Sequence, residues 1–366
     1  MSLEVHITKK LGNFTLRADL SSNGNCCGIL GESGCGKSMF LKCIAGIETP
    51  DSGSIVLNGR ILYDSEKKIN LPPQKRGVGY LFQNYALFPS MTVAQNIASG
   101  INQGRFFLSR KEKEKAEATV KLQIERCRLQ GLEDQYPSQL SGGQQQRTAL
   151  ARILAVNPSI IMLDEPFSAL DSHLKDAMQK EMRDIIRNYP GNVLIVSHSR
   201  DELYRLCDFL YIMNAGAFIQ NGPIREVFQA PDSIQAAILT GCKNITPIKR
   251  IHEHLLSAPR WGITLSPKQP VSETVTHVAI RAHYFRLSAD SRSDSDFQPD
   301  IGLQNTFRAQ IVQIEEQPFE YDYYLKTKAS TEAFIWKIHK SPESTFHEGD
   351  EVTLHILPED VMLLHG

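Results

Sequence analysis

The densest chemistry in this sequence lies in Gly31-Glu32-Ser33-Gly34-Cys35-Gly36-Lys37-Ser38. Glycines at these intervals let the backbone curl, so that successive N–H groups point into one concavity. Such a concavity, backed by the positive end of a following helix, holds phosphate oxygens. Lys37 adds a point charge for the terminal phosphates, and the Ser38 hydroxyl is placed to ligate magnesium. The context suits the motif: Cys26 to Leu30 reads as a buried strand, and Met39 to Ala45 as a helix ended by Gly46. The pattern implies a nucleoside triphosphate and leaves open what its energy drives.

Further candidates lie downstream. Ile160-Ile161-Met162-Leu163-Asp164-Glu165-Pro166 is an apolar strand ending in two carboxylates. In a phosphate-loop protein the first acid holds magnesium, and the second can position or deprotonate an attacking water. Val193 to Val196 is another buried strand; His198 follows it, at the strand end where open α/β sheets bind ligands. Ser141 is a natural N-cap for a helix running through Ala149, Leu150 and Leu154. Gly142 and Gly143 in its first turn weaken that helix by about 1 kcal/mol each against alanine, which makes sense where a ligand must approach the backbone. Gln83 ends a strand and leads into Asn84-Tyr85-Ala86-Leu87-Phe88-Pro89, an apolar and aromatic loop with the character of a contact surface.

The elements around these residues can be outlined. Residues 3–20 alternate apolar and polar and read as two edge strands, from which Leu11 or Phe14 could reach an adenine ring. Residues 54–62 read as a hairpin turning at Asn58-Gly59. Ser109 and Glu112 form a capping box; Ala116, Val120, Ile124 and Cys127 share a helix face, and residues 90–157 read as mostly helical. The 366 residues suggest about two domains. Lys+Arg 40 against Asp+Glu 41 gives no basic excess for nucleic acid. No apolar run reaches the roughly 18 residues of a membrane span, and no signal core opens the chain. The seven cysteines, with no C-x-x-C, read as reduced apolar groups. His252-Glu253-His254 lacks metal-site spacing, and the polar stretch from Asp290 to Asp296 lacks the order of a calcium loop.

Taken together, the motifs resemble the ATP-binding subunits of ABC transporters over residues 1–235. GESGCGKS is similar to the Walker A loop, LFQ ending at Gln83 to the Q-loop, and LSGGQ at 140–144 to the family signature. IIMLDEP is similar to Walker B, and Ser168 to Asp171 and His198 to the D- and H-loops. The resemblance implies a phosphate-loop α/β core with a helical subdomain over 90–157. It implies a head-to-tail homodimer with two ATPs between subunits. Gly31 to Ser38, Met39 and Phe14 of one chain, with Ser141, Gly142, Gly143 and Gln144 of the other, would clasp each ATP. Magnesium would sit with Ser38, Gln83 and Asp164. Lys37, Glu165 and His198 would carry catalysis, and Asp171 would communicate across the dimer. Tyr85, Leu87 and Phe88 would meet the membrane subunit. The expected partners are integral membrane permease subunits and a substrate-binding protein, at the cytoplasmic face of the membrane, without nucleic acid. Where the family stacks adenine on an aromatic residue, this chain has Leu11.

Within the family, the run from Ser54 to Pro89 resembles the molybdate-importer subunits, through LNGR-x-L-x-D-S and L-P-P-x-x-R-x-x-G-Y-x-F-Q. After Asn305, short alternating runs punctuated by Gly349-Asp350 and Pro358-Glu359 read as a small β-barrel. It resembles the Mop/TOBE-like barrel appended to such subunits, here placed at 302–366 after a connecting segment over 236–301. That barrel is shared by sugar, sulfate and polyamine importers. The expectation is an importer ATPase for molybdate or a related oxyanion. The alternatives are a sulfate, sugar, polyamine or iron importer and, from another class, a soluble ABC ATPase acting on nucleic acid or ribosomes.

Overall fold

The computed structural model describes residues 2–23, 26–102, 109–168, 172–288, 305–341 and 346–365. The chain divides into two compact units, Met1–Val227 and Phe228–Gly366.

In the first unit β1 (Ser2–Leu11), β2 (Phe14–Asn23) and β3 (Cys26–Leu30) lead into α1 (Lys37–Ala45). Then come β4 (Ser52–Leu57), β5 (Arg60–Asp64), β6 (Ile69–Asn70) and β7 (Val78–Leu81). The helical stretch holds α2 (Val93–Asn102), α3 (Arg110–Arg126) and α4 (Gly142–Leu154). The chain returns through β8 (Ile160–Asp164), α5 (Ser172–Arg187), β9 (Asn192–Ser197), α6 (Arg200–Leu206), β10 (Phe209–Asn214) and β11 (Ala217–Pro223).

These strands form one eleven-stranded sheet in the order β6-β5-β4-β1-β2-β11-β10-β3-β9-β8-β7. β10, β3, β9, β8 and β7 run parallel. Every residue of β3, β8 and β9 is buried, as expected of parallel strands covered on both faces. The two strands expected at an edge are internal. β1 pairs with β4 as well as β2, and β2 continues to β11. Their alternation is real, with Leu3, Val5, Ile7, Leu16, Ala18 and Leu20 in the core, but periodicity reports which face is buried and says nothing about neighbours. The β4–β5 hairpin turns at Asn58 and Gly59, both at positive φ (52° and 75°), as a two-residue primed turn requires.

α3 opens on the Ser109–Glu112 capping box. Ile124 and Cys127 bury against Val93 and Ile97 of α2 and Ala151 of α4, with Val120 packed alongside. That cluster is the core of the helical layer which carries α4.

Among the described residues, the second unit holds eleven strands. They are β12 (Asn244–Pro247), β13 (Lys249–His252), β14 (Leu255–Ala258), β15 (Ile263–Leu265), β16 (Val275–Ile280) and β17 (Arg286–Leu287), then β18 (Thr306–Glu316), β19 (Glu320–Lys326), β20 (Phe334–His339), β21 (Glu351–His355) and β22 (Met362–His365). β18 to β21 lie where the alternating runs indicate. The segment over 236–301 is no mere connector, however. β16 pairs with both β12 and β22, and β17 pairs with β21, so the segment shares sheets with the last strands of the chain. One aromatic core, with Trp261, Phe285, Tyr323, Phe334 and Trp336, spans both. Asn244 grips the backbone of Ile335 in both directions at 2.7 Å. Long-range pairing of this kind leaves no local mark, which is why the boundary expected at 235 and the barrel start at 302 do not match the compact units.

All seven cysteines are free and buried. His252, Glu253 and His254 are exposed. Asp290 to Asp296 lies outside the described residues.

Candidate functional site

Parallel register assembles the site. Leu30 of β3 is level with Ser197 of β9, and Asp164 of β8 is level with Val196. The residues just beyond these ends, Gly31, Glu165 and His198, therefore emerge at one rim of the sheet. Gly34 (φ 82°) and Gly36 (φ 111°) take left-handed conformations, and the loop runs directly into α1 at Lys37. The Lys37 side chain is buried, and its Nζ donates to Gly31 O and Glu32 O, each at 2.8 Å. The ammonium is thereby fixed against the loop's own backbone. Cys35 is buried beside Gly31, where a Cβ would meet its Sγ at 2.6 Å; burial raises its thiol pKa, as befits an inert packing group.

Ser38 Oγ donates to Asp164 Oδ1 at 2.9 Å. The other Asp164 oxygen accepts from Tyr80 OH at 2.7 Å. Burial, followed by the neighbouring Asp164 charge, raises the Tyr80 pKa far above its ordinary value, so the phenol stays a donor throughout the working pH range. A hydroxyl and a carboxylate fit a hard cation. Among the described residues no cluster of three or more His, Cys, Asp or Glu could hold a metal alone.

Glu165 turns sharply out of β8 at φ 45°, with its N–H donating to Val196 O at 2.9 Å. A left-handed glutamate costs about 1–3 kcal/mol, and such strain is retained where a side chain must be aimed. Its Oε2 lies 3.1 Å from His198 Nδ1. The turn bearing His198 is braced from below, where buried Ser197 accepts from Ser199 N–H at 2.9 Å and donates to Glu202 at 2.7 Å. Gln83 Nε2 donates to Ser168 Oγ at 3.3 Å, and Ser168 Oγ donates to Glu165 O at 2.9 Å, which links the end of β7 to the turn after β8.

Ser141 caps α4, accepting from Gln144 N–H at 3.4 Å, while Gln144 Oε1 accepts from Ser141 N–H at 2.8 Å. A Cβ on Gly143 would only touch Met178 at 3.4 Å, an ordinary contact. Packing within the chain therefore does not demand glycine there. Phe14 packs against the phosphate loop itself, its ring 2.9 Å from where a Gly36 Cβ would stand, while Leu11 across the hairpin is 40% exposed. Tyr85, expected on an exposed patch, is buried; Leu87 is half-buried and Phe88 exposed. A left-handed backbone at Tyr85 (φ 60°) turns its ring inward. Asp171 lies outside the described residues. Sequence reasoning missed Tyr80 and the Ser197–Glu202 brace. The signal for Tyr80 was its place in the strand beside β8, two residues before the end of the run leading to Gln83.

A phosphate loop at the end of the central parallel strand β3, an acid pair at the end of β8 with β9 between them, and a separately capped LSGGQ helix define a phosphate-loop ATPase of the ABC type. The ABC transporter family model matches residues 17–168. The Fe(3+) ions import ATP-binding protein FbpC 2 of Haemophilus influenzae is 34% identical over 307 residues, 84% of each chain. The sulfate/thiosulfate import ATP-binding protein CysA 2 of Chromobacterium violaceum is 40% identical, over 75% of this chain and 73% of its own. The molybdate/tungstate import ATP-binding protein WtpC of Archaeoglobus fulgidus is 36% identical, over 69% of this chain and 99% of its own. Among solved structures, the dimeric ATP-binding cassette MJ0796 bound to ADP and Pi matches with TM-score 0.51 and 26% identity, over 62% of this chain and 99% of that one. The chain belongs to the ABC transporter family as the ATP-binding subunit of an importer, an ATPase coupled to transport.

Proposed function

We propose that this chain hydrolyses Mg-ATP between two head-to-tail copies of itself and thereby drives import of molybdate or a related tetrahedral oxyanion. The hydrolytic part rests on one observation: at the rim of the sheet beside the phosphate loop, Ser38 pairs with Asp164 at 2.9 Å and Glu165, the next residue, pairs with His198 at 3.1 Å. In this reading the loop N–H groups and Lys37 bind the β- and γ-phosphates. Ser38 and Asp164 would hold magnesium, which spreads the charge of the phosphate oxygens when bound. Glu165 takes a proton from the attacking water, and His198 positions Glu165 and the γ-phosphate edge. Tyr80 holds Asp164 in place, so Tyr80→Phe is expected to lower kcat/KM for Mg-ATP about tenfold, the worth of one hydrogen bond to a charged group. A magnesium titration of ATPase activity that is unchanged in the variant would reduce Tyr80 to a packing role.

The dimer reading is supported by the dimeric cassette to which the chain is similar and by glycine at 143 without an internal packing need. Blocking hydrolysis with Glu165→Gln should let Mg-ATP accumulate a dimer, visible by sedimentation. Adding Ser141→Trp should weaken that association at least about tenfold, since the capped helix end would face the partner's nucleotide. An ATP-dependent dimer that persists in the double variant contradicts the shared site.

The membrane-facing reading places the chain peripherally at the cytoplasmic face, bound to permease subunits that receive a substrate-binding protein. No helix among the described residues is long and apolar enough to cross a membrane, so spans would come from those partners. Molybdate is favoured by the likeness of residues 54–89 and by a molybdate/tungstate relative aligned over 99% of its length. Relatives named for Fe(3+) and for sulfate support the wider importer reading as strongly. In vesicles carrying the whole importer, ATPase stimulation by binding protein loaded with molybdate, but not with sulfate or Fe(3+), would establish the substrate. The reverse preference would reassign it.

A further inference from the structure

The loop between Gln83 and Met91 is fastened by two polar side chains of the helical layer. Buried Asn96 of α2 accepts from Phe88 N–H at 2.9 Å. It also donates to the carbonyls of Phe88, Met91 and Thr92 at 3.1, 2.9 and 3.1 Å. The second fastening is Arg152, in the last turn of α4. Its Nη1 donates to Ala86 O at 2.8 Å and its Nη2 to Tyr85 O at 3.0 Å. The same guanidinium stands 5.6 Å from the centre of the Phe88 ring. One planar fork therefore takes two consecutive carbonyls and the adjacent aromatic face, a combination available to arginine and not to lysine.

The residues it holds are not at rest in this conformation. Tyr85 (φ 60°) and Ala86 (φ 44°) are both left-handed without being glycine. The Tyr85 hydroxyl is buried with no hydrogen-bond partner, among the described residues. A strained turn with an orphaned buried hydroxyl persists only when its surroundings over-determine it. α2 makes room for the clamp at Gly100, where a Cβ would come within 2.7 Å of Arg152 O and 3.2 Å of its Cγ. Upstream, the same loop is tied to the ATP site through Gln83 and Ser168.

α4 thus has Ser141 of the LSGGQ signature at one end and, near the other, a grip on the aromatic loop. We infer that Arg152 is the positioning residue through which displacement of the signature helix is passed to the loop at Tyr85–Phe88, and hence to the membrane subunit. The inference rests on the importer reading above. A rigid helix with a polar lock at its far end moves the loop with it. Without the fork, the left-handed pair relaxes and the helix end slides past.

The test compares ATPase activity of the isolated subunit with that of the complete importer in lipid vesicles, with loaded and empty binding protein. Arg152→Ala and Arg152→Lys should both leave the isolated subunit within about twofold of wild type, while stimulation by loaded binding protein falls about tenfold or more. Arg152→Lys keeps charge and most of the bulk, so its failure to restore stimulation separates the fork geometry from simple packing. Equal proportional losses of basal and stimulated activity, or full stimulation in Arg152→Ala, would overturn the inference. A wild-type importer that no loaded binding protein stimulates would instead overturn the importer reading on which it depends.

Discussion

Replacing Glu165 by glutamine is expected to leave ATP binding within about threefold of wild type while lowering kcat by about 10²–10⁴, the range supplied by a positioned general base. The geometry separates the two effects. ATP is expected to be held by the phosphate-loop N–H groups and Lys37, whose ammonium is anchored on Gly31 O and Glu32 O. Glu165 reaches the site from another strand, aimed by its left-handed backbone and by His198 at 3.1 Å. Glutamine keeps the shape and can still meet His198, but it cannot accept the water's proton. A loss confined to kcat identifies an interaction made only in the transition state. Nucleotide-binding titrations beside steady-state ATPase rates check the point, and normal hydrolysis by Glu165→Gln would sink the base assignment. His198→Ala should fall in the same direction by a smaller factor, about 10–10², because it removes an orienting neighbour and leaves the carboxylate.

The site's main parts were legible because each is written in a short stretch. A strand, a glycine-rich turn and a helix make the phosphate loop without help from elsewhere. Ser141 and Gln144 form a capping box over one turn. Asp164 and Glu165 follow four buried apolar residues, Ile160 to Leu163, whose composition already says parallel strand. What the sequence concealed is what depends on distant partners. β1 and β2 look like edge strands until β4 and β11 are seen on either side of them. Tyr85 reads as part of an exposed aromatic run, because nothing local signals that its backbone turns left-handed under Arg152. Tyr80 and Arg152 are ordinary polar residues in amphipathic elements, and only the sheet register and the approach of α4 give them partners. In the second unit, β22 completes a sheet begun more than a hundred residues earlier, so no window of sequence could place the boundary.

Arg76 is the clearest such residue, and it carries the largest expected effect on stability. It is 1% exposed, yet among the described residues its hydrogen-bond partners are three carbonyls and an amide oxygen, with no carboxylate. Its Nη1 donates to Cys43 O and Ile44 O at 2.8 Å each, its Nε to Leu71 O at 2.7 Å and its Nη2 to Asn70 Oδ1 at 2.8 Å. The first two acceptors are carbonyls in the last turn of α1, the helix that begins at Lys37, so the guanidinium caps the negative end of the phosphate-loop helix. Gly46 permits this: a Cβ there would stand 2.4 Å from Arg76 Nε. Burial lowers the Arg76 pKa from its very high ordinary value, and arginine still remains charged. Arg76→Leu would fill similar space but leave the buried carbonyls of Cys43 and Ile44 without their charged donor, at an expected cost of about 3–5 kcal/mol, the penalty of two buried acceptors deprived of a partner. For a unit of this size that corresponds to a fall in Tm of about 10 °C. Arg76→Lys should recover only part, since one ammonium cannot reach acceptors spread around a planar fork. Gly46→Ala should destabilise by pushing the same side chain from its seat while leaving its charge in place. Thermal unfolding of the three variants therefore distinguishes capping from simple charge: Leu worst, with Lys and Ala between it and wild type. If Arg76→Leu unfolds within about 1 kcal/mol of wild type, surface-like behaviour on this scale, the four hydrogen bonds contribute nothing net and α1 holds its phosphate loop without them.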